Sequence, residues 1–298
     1  MNANTIPIKL QRRLANRHWL KGFGALAALL AFTGPCGATS INYNNFSSVA
    51  GLTLNGTARQ SGNEVTLTTA AQSDNGAVFE AGSLFYNTGL PLTPGTSVDT
   101  SFEFSLCTGP SSPSCSAPPA DGITFTFQNS PSGASALGGV GYQLGSGGIP
   151  NSVAIAFDTY LVPGVLVVVD GNFGQPTAYN PNVTLTGNMY AWIDYNGSSD
   201  LLSVYLNTVD TQPATPVLTA NVNLFGDLVP QNAASQMYVG FTGGTGEYDS
   251  DQAIMNWNLS TTSGSGVPEP GTLTFAGLGL CAVMLRVRFA RARRLHNS

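Results

Sequence analysis

The sequence predicts an all-β fold, one antiparallel sandwich built from residues 41 to 260, and three observations predict it. Charged residues are only 9% of the chain against the usual quarter or so, with Gly, Ser, Thr and Asn carrying the polarity. That composition suits short strands with hydroxyl-bearing outer faces and many turns; helices want Ala, Glu, Lys and Leu. Short apolar segments recur at turn-separated intervals, the pattern of a sandwich. No window of eleven or more residues between 41 and 260 shows helical periodicity.

Ile41–Phe46 starts the body with aromatic-polar alternation. Gly62–Thr69 alternates cleanly, with Val65 and Leu67 inward; Val78–Glu80 is short. Ser97–Leu106 is a strand with Val98, Phe102, Phe104 and Leu106 on one face. Ala120–Gln128 follows with Ile123, Phe125 and Phe127 on one face. The stretch 138–160 is the centre of the chain: a glycine-dense loop, a turn at Ile149-Pro150-Asn151, then the apolar run Val153–Phe157. That run is too short for a helix and too apolar for a strand with one wet face, so it reads as a strand buried on both sides. It ends in Asp158-Thr159. A carboxylate where a buried strand meets a glycine loop suggests a site at the rim; a strand end leaving for solvent is the alternative. Leu161–Asp170 continues as another buried strand after Pro163-Gly164. Met189–Asn207 reads as a hairpin turning at Asn196-Gly197, and Met237–Phe241 and Ala253–Leu259 close the set.

The charges are sorted along the chain. From 39 to 266 the only base is Arg59, against fifteen of the sixteen acids, a net of 1 − 15 = −14. Nucleic acid and other polyanions are poor partners for that surface, whereas divalent cations and neutral sugars are compatible with it. His18 and His296 both lie outside this span and no Lys lies inside it, which excludes catalysis by a His or Lys base in the body. Cys107 and Cys115 flank a short loop; in an exported protein they predict a disulfide contributing roughly 2–3 kcal/mol, two free thiols being the alternative.

Both ends read as addresses. Residues 1–38 carry a basic front, the apolar core Phe23–Phe32 and small residues at Cys36-Gly37-Ala38, the pattern of a secretory signal peptide. Residues 261–266 form a flexible linker, after which Val267-Pro268-Glu269-Pro270-Gly271 precedes the apolar run Thr272–Leu285 and an arginine cluster from Arg286. The 14 apolar residues span about 21 Å as a helix, short of a ~30 Å hydrocarbon core, so Arg286 and Arg288 would snorkel at the inner face. Over residues 267–294 this order resembles the PEP-CTERM sorting signal of Gram-negative bacteria. The resemblance implies a transmembrane sorting helix at the inner membrane, processing by an exosortase-type enzyme, and a final place at the cell surface or in the matrix. An anchor that is never cleaved is the alternative.

Four body segments, in order, carry a second resemblance: Ala120-Asp121-Gly122-Ile123-Thr124-Phe125, Val153–Thr159, Trp192-Ile193-Asp194-Tyr195, and Val239–Gly246 followed by Ile254 and Trp257. Together they resemble the legume (L-type) lectin family over roughly residues 39–260. The resemblance implies a concanavalin-like jelly roll with sugar bound at one rim. It assigns carbohydrate binding to Asp121, to a backbone N–H at Gly138 or Gly139, and to a selectivity loop through Thr242, Gly243, Gly244, Thr245 and Gly246. A carboxylate accepts charge-assisted bonds from two adjacent sugar hydroxyls. Asp158 and Tyr160 match metal positions, but the expected glutamate is Ala156, the expected asparagine is Val162, and the histidine position near Leu166 is apolar. One carboxylate cannot supply the six or more oxygens calcium wants, and no nitrogen ligand is present for a transition metal. The expectation is a lost two-metal site, with no cofactor beyond calcium left open.

The functional expectation is an exported carbohydrate-binding protein that contacts exopolysaccharide, without catalysis, with a homodimer open because pairing adds avidity. The alternatives are a structural matrix or adhesion protein with a degenerate sugar site, and a glycoside hydrolase on the same sandwich. The hydrolase needs two carboxylates flanking a bond, and the alternating Glu247, Asp249 and Asp251 read better as a solvated acidic turn.

Overall fold

Alternation along each strand sends one set of side chains into a shared core and the other set outward. In the computed structural model, which describes residues 38–69, 79–106, 119–185, 187–248 and 250–263, this produces two antiparallel sheets packed face to face. The first runs Leu218–Asn221, Leu201–Asn207, Gly187–Asn196, Ser97–Leu106, Gln252–Thr262, Glu64–Thr68, Arg59–Ser61, with Thr39–Tyr43 also paired to Gln252–Thr262. The second runs Ala178–Asn180, Gly164–Val169, Ser152–Asp158, Gly122–Gln128, Gln236–Gly244, Ala81–Tyr86, Leu52–Gly56, with Leu90–Pro91 beside Gln236–Gly244. Among the described residues the α-helix is limited to Leu224–Leu228, whose first turn is capped by Asn223 accepting the Gly226 N–H at 2.8 Å.

The core is aromatic where the sheets meet. Phe102 of the first sheet lies 5.7 Å from Phe125, 6.0 Å from Phe157 and 4.8 Å from Phe241 of the second, ring centre to ring centre. Trp257 closes on Phe241 at 5.2 Å and donates its indole N–H to the Thr100 hydroxyl at 3.0 Å. Val65, Leu67, Val98, Phe104, Leu106, Ile123 and Phe127 all point into this core, as their spacing predicts.

Val153–Phe157 is buried on both faces, flanked by Gly122–Gln128 and Gly164–Val169. Its inner residues Val153, Ile155 and Phe157 join the main core, and Ala154 and Ala156 join a separate apolar cluster. The glycine-dense loop covers the outer face: Thr242, on that face, donates its hydroxyl to the Leu144 carbonyl and bonds Thr124 at 2.8 Å.

Several details depart from the sequence reading. Ala81–Tyr86 is a full strand where only Val78–Glu80 was expected. The hairpin turn keeps Asn196 as an Asx cap, accepting the Ser198 N–H at 3.0 Å, but the left-handed residue is Asp200, φ 54°. Gly197 is required for another reason: a Cβ there would sit 2.2 Å from the Thr96 carbonyl oxygen. Residues 1–37 of the 1–38 signal-peptide reading, the Cys107–Cys115 pair, the end of the linker and the sorting signal lie outside the described residues. Among the described residues, no helix is long and apolar enough to cross a membrane.

Candidate functional site

Asp121 sits where Gly122–Gln128 begins, after a cis peptide bond from Ala120. Its backbone is pinned on two sides: its N–H donates to the Gly244 carbonyl at 3.0 Å, and its carbonyl accepts from the Thr159 N–H at 2.8 Å. The side chain is 5% exposed, and Oδ2 is buried with no hydrogen-bond partner. Two glycines wall it. A Cβ at Gly246 would lie 3.1 Å from Oδ2, and one at Gly141 3.9 Å. Gly141 has φ +64°, a conformation that suits a residue without Cβ, and its N–H donates to the Thr245 carbonyl at 2.9 Å. The two glycine segments are therefore stitched together over the carboxylate.

Burial raises the Asp121 carboxyl from the ordinary 3.8 to about 6, with the nearby Asp158 charge adding to the shift. Burial raises Asp158 as well, opposed by the backbone N–H groups of Tyr160, Val162 and Leu161. The Asp158 Oδ1 accepts the Tyr160 N–H at 2.8 Å. The Tyr160 ring packs against Tyr248 with centres 5.0 Å apart, and both rings are partly exposed. Phe79, 59% exposed, lies beside Gly246. An unpaired carboxylate oxygen, bare peptide groups and exposed aromatic rings thus converge at one rim.

The structure does not bring all the expected residues there. Gly138 and Gly139 were expected to offer an N–H to a sugar. Instead the Gly138 N–H donates to the Gly145 carbonyl at 2.7 Å and the Gly139 N–H to the Gly147 carbonyl at 3.1 Å, closing the loop on itself. Gly141 is the glycine of that run that reaches Asp121. Thr242, Gly243 and Gly244 were expected in a loop. They are strand residues, buried and paired with Gly122–Thr124 on one side and Ala81–Ser83 on the other. Thr245 is buried too: its N–H donates to the Glu80 carbonyl at 3.0 Å and its hydroxyl accepts the Glu80 N–H at 3.1 Å. Among the described residues of the turn, Glu247 and Tyr248 are exposed. Sequence reasoning included Gly246 in the expected loop and missed Gly141, Tyr248 and Glu80. Gly141 was visible in the Gly-Gly-Val-Gly run, but the run does not say which glycine faces the carboxylate.

The residues present do not fit a two-metal site. Asp158 shares its outer face with Ala154 and Ala156, which pack with Leu144, Leu166, Val168, Val162 and Phe173. The positions where oxygen and nitrogen ligands were expected contribute to this apolar cluster. Among the described residues no three His, Cys, Asp or Glu side chains gather to hold a metal. Backbone N–H groups, which cannot ligate a cation, turn toward the Asp158 carboxylate.

The fold has counterparts. The legume lectin domain profile matches residues 38–272. The L-type lectin-domain containing receptor kinase VIII.1 of Arabidopsis thaliana is 27% identical over 274 residues, 82% of this chain and 36% of that relative. The chain thus corresponds to about a third of the length of such a curated relative. A solved lectin from Bauhinia forficata, in complex with GalNAc, superposes with a TM-score of 0.59 at 25% identity, covering 76% of this chain and 99% of that one. Arcelin-5, a lectin-like defense protein from Phaseolus vulgaris, shares the fold at TM-score 0.59 and 23% identity, over 76% of this chain and 98% of that one. With two jelly-roll sheets, a buried carboxylate at the glycine rim and a profile spanning most of the chain, this protein belongs to the legume lectin domain family and carries its lectin-like carbohydrate-binding domain.

Proposed function

We propose that this chain is an exported, non-catalytic protein that holds a neutral polysaccharide, such as exopolysaccharide, through the rim around Asp121. The observation that carries the reading is the Asp121 Oδ2, buried, unpartnered and walled by Gly141 and Gly246. A buried polar atom without a partner is costly unless something arrives to bond it. A sugar hydroxyl is a suitable donor, and with no Cβ at Gly141 or Gly246 only backbone stands between the carboxylate and an approaching hydroxyl. Tyr160, Tyr248 and Phe79 offer apolar faces beside it. In a sugar complex these faces would cover the C–H side of a pyranose. Export, sorting by an exosortase-type enzyme and a surface location are part of the same proposal. They rest on the two terminal segments of the sequence.

The test is Asp121→Asn, which keeps shape and removes charge. Retention on immobilised neutral polysaccharides should fall tenfold or more, because a charge-assisted acceptor is lost. Gly246→Ala should weaken it too, since its Cβ enters at 3.1 Å from Oδ2. Unchanged retention in both variants would favour the second reading, a matrix or adhesion protein with a degenerate site. The apolar cluster that stands at the expected metal position, and the inward-turned N–H groups of Gly138 and Gly139, are the observations on that side.

A further inference from the structure

We infer that the outer face of the first sheet carries a second binding site, for a neutral oligosaccharide laid along the strand Ser97–Leu106. This face lies on the far side of the aromatic core from the glycine-dense loop, so it is separate from the Asp121 rim and does not depend on that reading.

Register builds the site. Trp192 stands opposite Ser101, which stands opposite Asn258, which stands opposite Asn42. On one side of that row, Tyr190 is opposite Glu103 and Glu103 opposite Asn256; on the other, Asp194 is opposite Asp99. The small Ser101 side chain between the Trp192 ring and the Asn258 amide leaves a trough. Two shallow cavities, about 220 Å³ and about 500 Å³, meet there and share Ser101, Trp192 and Asn258. From Asp99 to Glu103 the trough floor runs roughly 13 Å along the strand.

The lining chemistry names the occupant. Tyr190 and Trp192 lie nearly parallel, ring centres 6.4 Å apart at 26°, a platform for the apolar face of a sugar ring. Around it the polar groups are held in place: Asn256 Nδ2 donates to Glu103 Oε2 at 2.9 Å, Asn42 Nδ2 to Asn258 Oδ1 at 2.6 Å, and Gln212 Nε2 to Asp194 Oδ2 at 2.9 Å. Fixed amides and carboxylates flanking an aromatic platform match a polyhydroxylated ring, which both donates and accepts. No basic residue lines either cavity, so a phosphorylated or sulfated chain finds no counter-charge. A second copy of this chain is a poor occupant as well. A two-fold contact would bring two copies of this acidic face together, with Asp99, Glu103, Asp194 and Asp210 on each side and no base lining the trough to offset them.

The test is calorimetric titration of the full chain with xylohexaose, cellohexaose and laminarihexaose, in an Asp121→Asn background in which the rim is weakened tenfold or more. At least one hexaose should bind. Trp192→Ala should weaken that binding tenfold or more. Ser101→Gln fills the trough while keeping both rings, and should do the same with an unchanged unfolding midpoint. The inference is overturned if none of the three binds, or if binding survives Ser101→Gln. It is also overturned if the face variants convert a dimer to a monomer in sedimentation while sugar binding stays constant, which would make the face a contact between copies.

Discussion

The two sheets obey the same alternation, yet their outer faces meet opposite environments. On the second sheet the glycine-dense loop lies over Thr124, Thr126 and Thr242, all fully buried. Their hydroxyls bond one another and the Leu144 carbonyl. On the first sheet the equivalent positions, Ser101, Trp192, Asp194 and Asn258, remain half-exposed. A polar residue on the covered face must find a protein partner, and one on the open face can use water. The covered face ends in a preformed, desolvated carboxylate; the open face offers a long, solvent-facing track whose polar groups are held by their own hydrogen bonds.

The sharpest way to break this contrast is to place a charge under the cover. Ala156→Glu restores a carboxylate at the position where the family resemblance expects one, inside the Leu144–Leu166–Val168 cluster. We expect a loss of about 3–5 kcal/mol in urea unfolding, the cost of a buried unpaired charge, with no recovery on adding calcium. Next, Thr242→Val removes a buried hydroxyl and leaves the Leu144 carbonyl and Thr124 short of a partner. It should cost about 1–3 kcal/mol by the same measurement.

Asp121 yields a prediction with two opposed signs. Its raised folded-state value means that ionisation opposes folding. The stability tied to this group is fully present below about pH 3.8 and is lost as pH rises through about 6. Sugar retention should move the other way if the ionised carboxylate is the acceptor, falling up to tenfold per pH unit below about 6. Measuring the unfolding midpoint and the retention over the same pH range separates the two, and parallel curves would mean that retention merely follows folding. The smallest effect belongs to the open face. Ser260→Lys, exposed and opposite Asp99, should change stability by less than about 0.5 kcal/mol.

Much of the fold was legible. Val98, Phe102, Phe104 and Leu106 announce one buried face, and Val153–Phe157 announces two, because a strand can keep five consecutive apolar residues only where both sides are covered. The site was legible in part. Asp158 was readable at a rim because it ends an apolar strand, and Asp121 through the Ala-Asp-Gly motif that the family resemblance assigns to sugar. The other members were not. The resemblance placed Thr242-Gly243-Gly244 in a loop, yet its glycines lie in a strand with close neighbours: a Cβ at Gly243 would meet Gln252 Oε1 at 2.4 Å and Leu67 Cβ at 3.0 Å. Composition reports that Cβ is missing and does not report whether a turn or a close neighbour requires it.

By itself the sequence determined the all-β class, the inward residue of each strong strand, the acidic and base-poor body, and the want of metal ligands around Asp158. These depend on local alternation and residue chemistry, which distance along the chain does not alter. Only the tertiary structure decided which glycines wall Asp121, that its Oδ2 is left without a partner, and that Trp192, Ser101 and Asn258 form one row. Those facts depend on strand register and on how a loop folds over a sheet. Both are set by contacts between segments far apart in the chain, which no short window of residues contains.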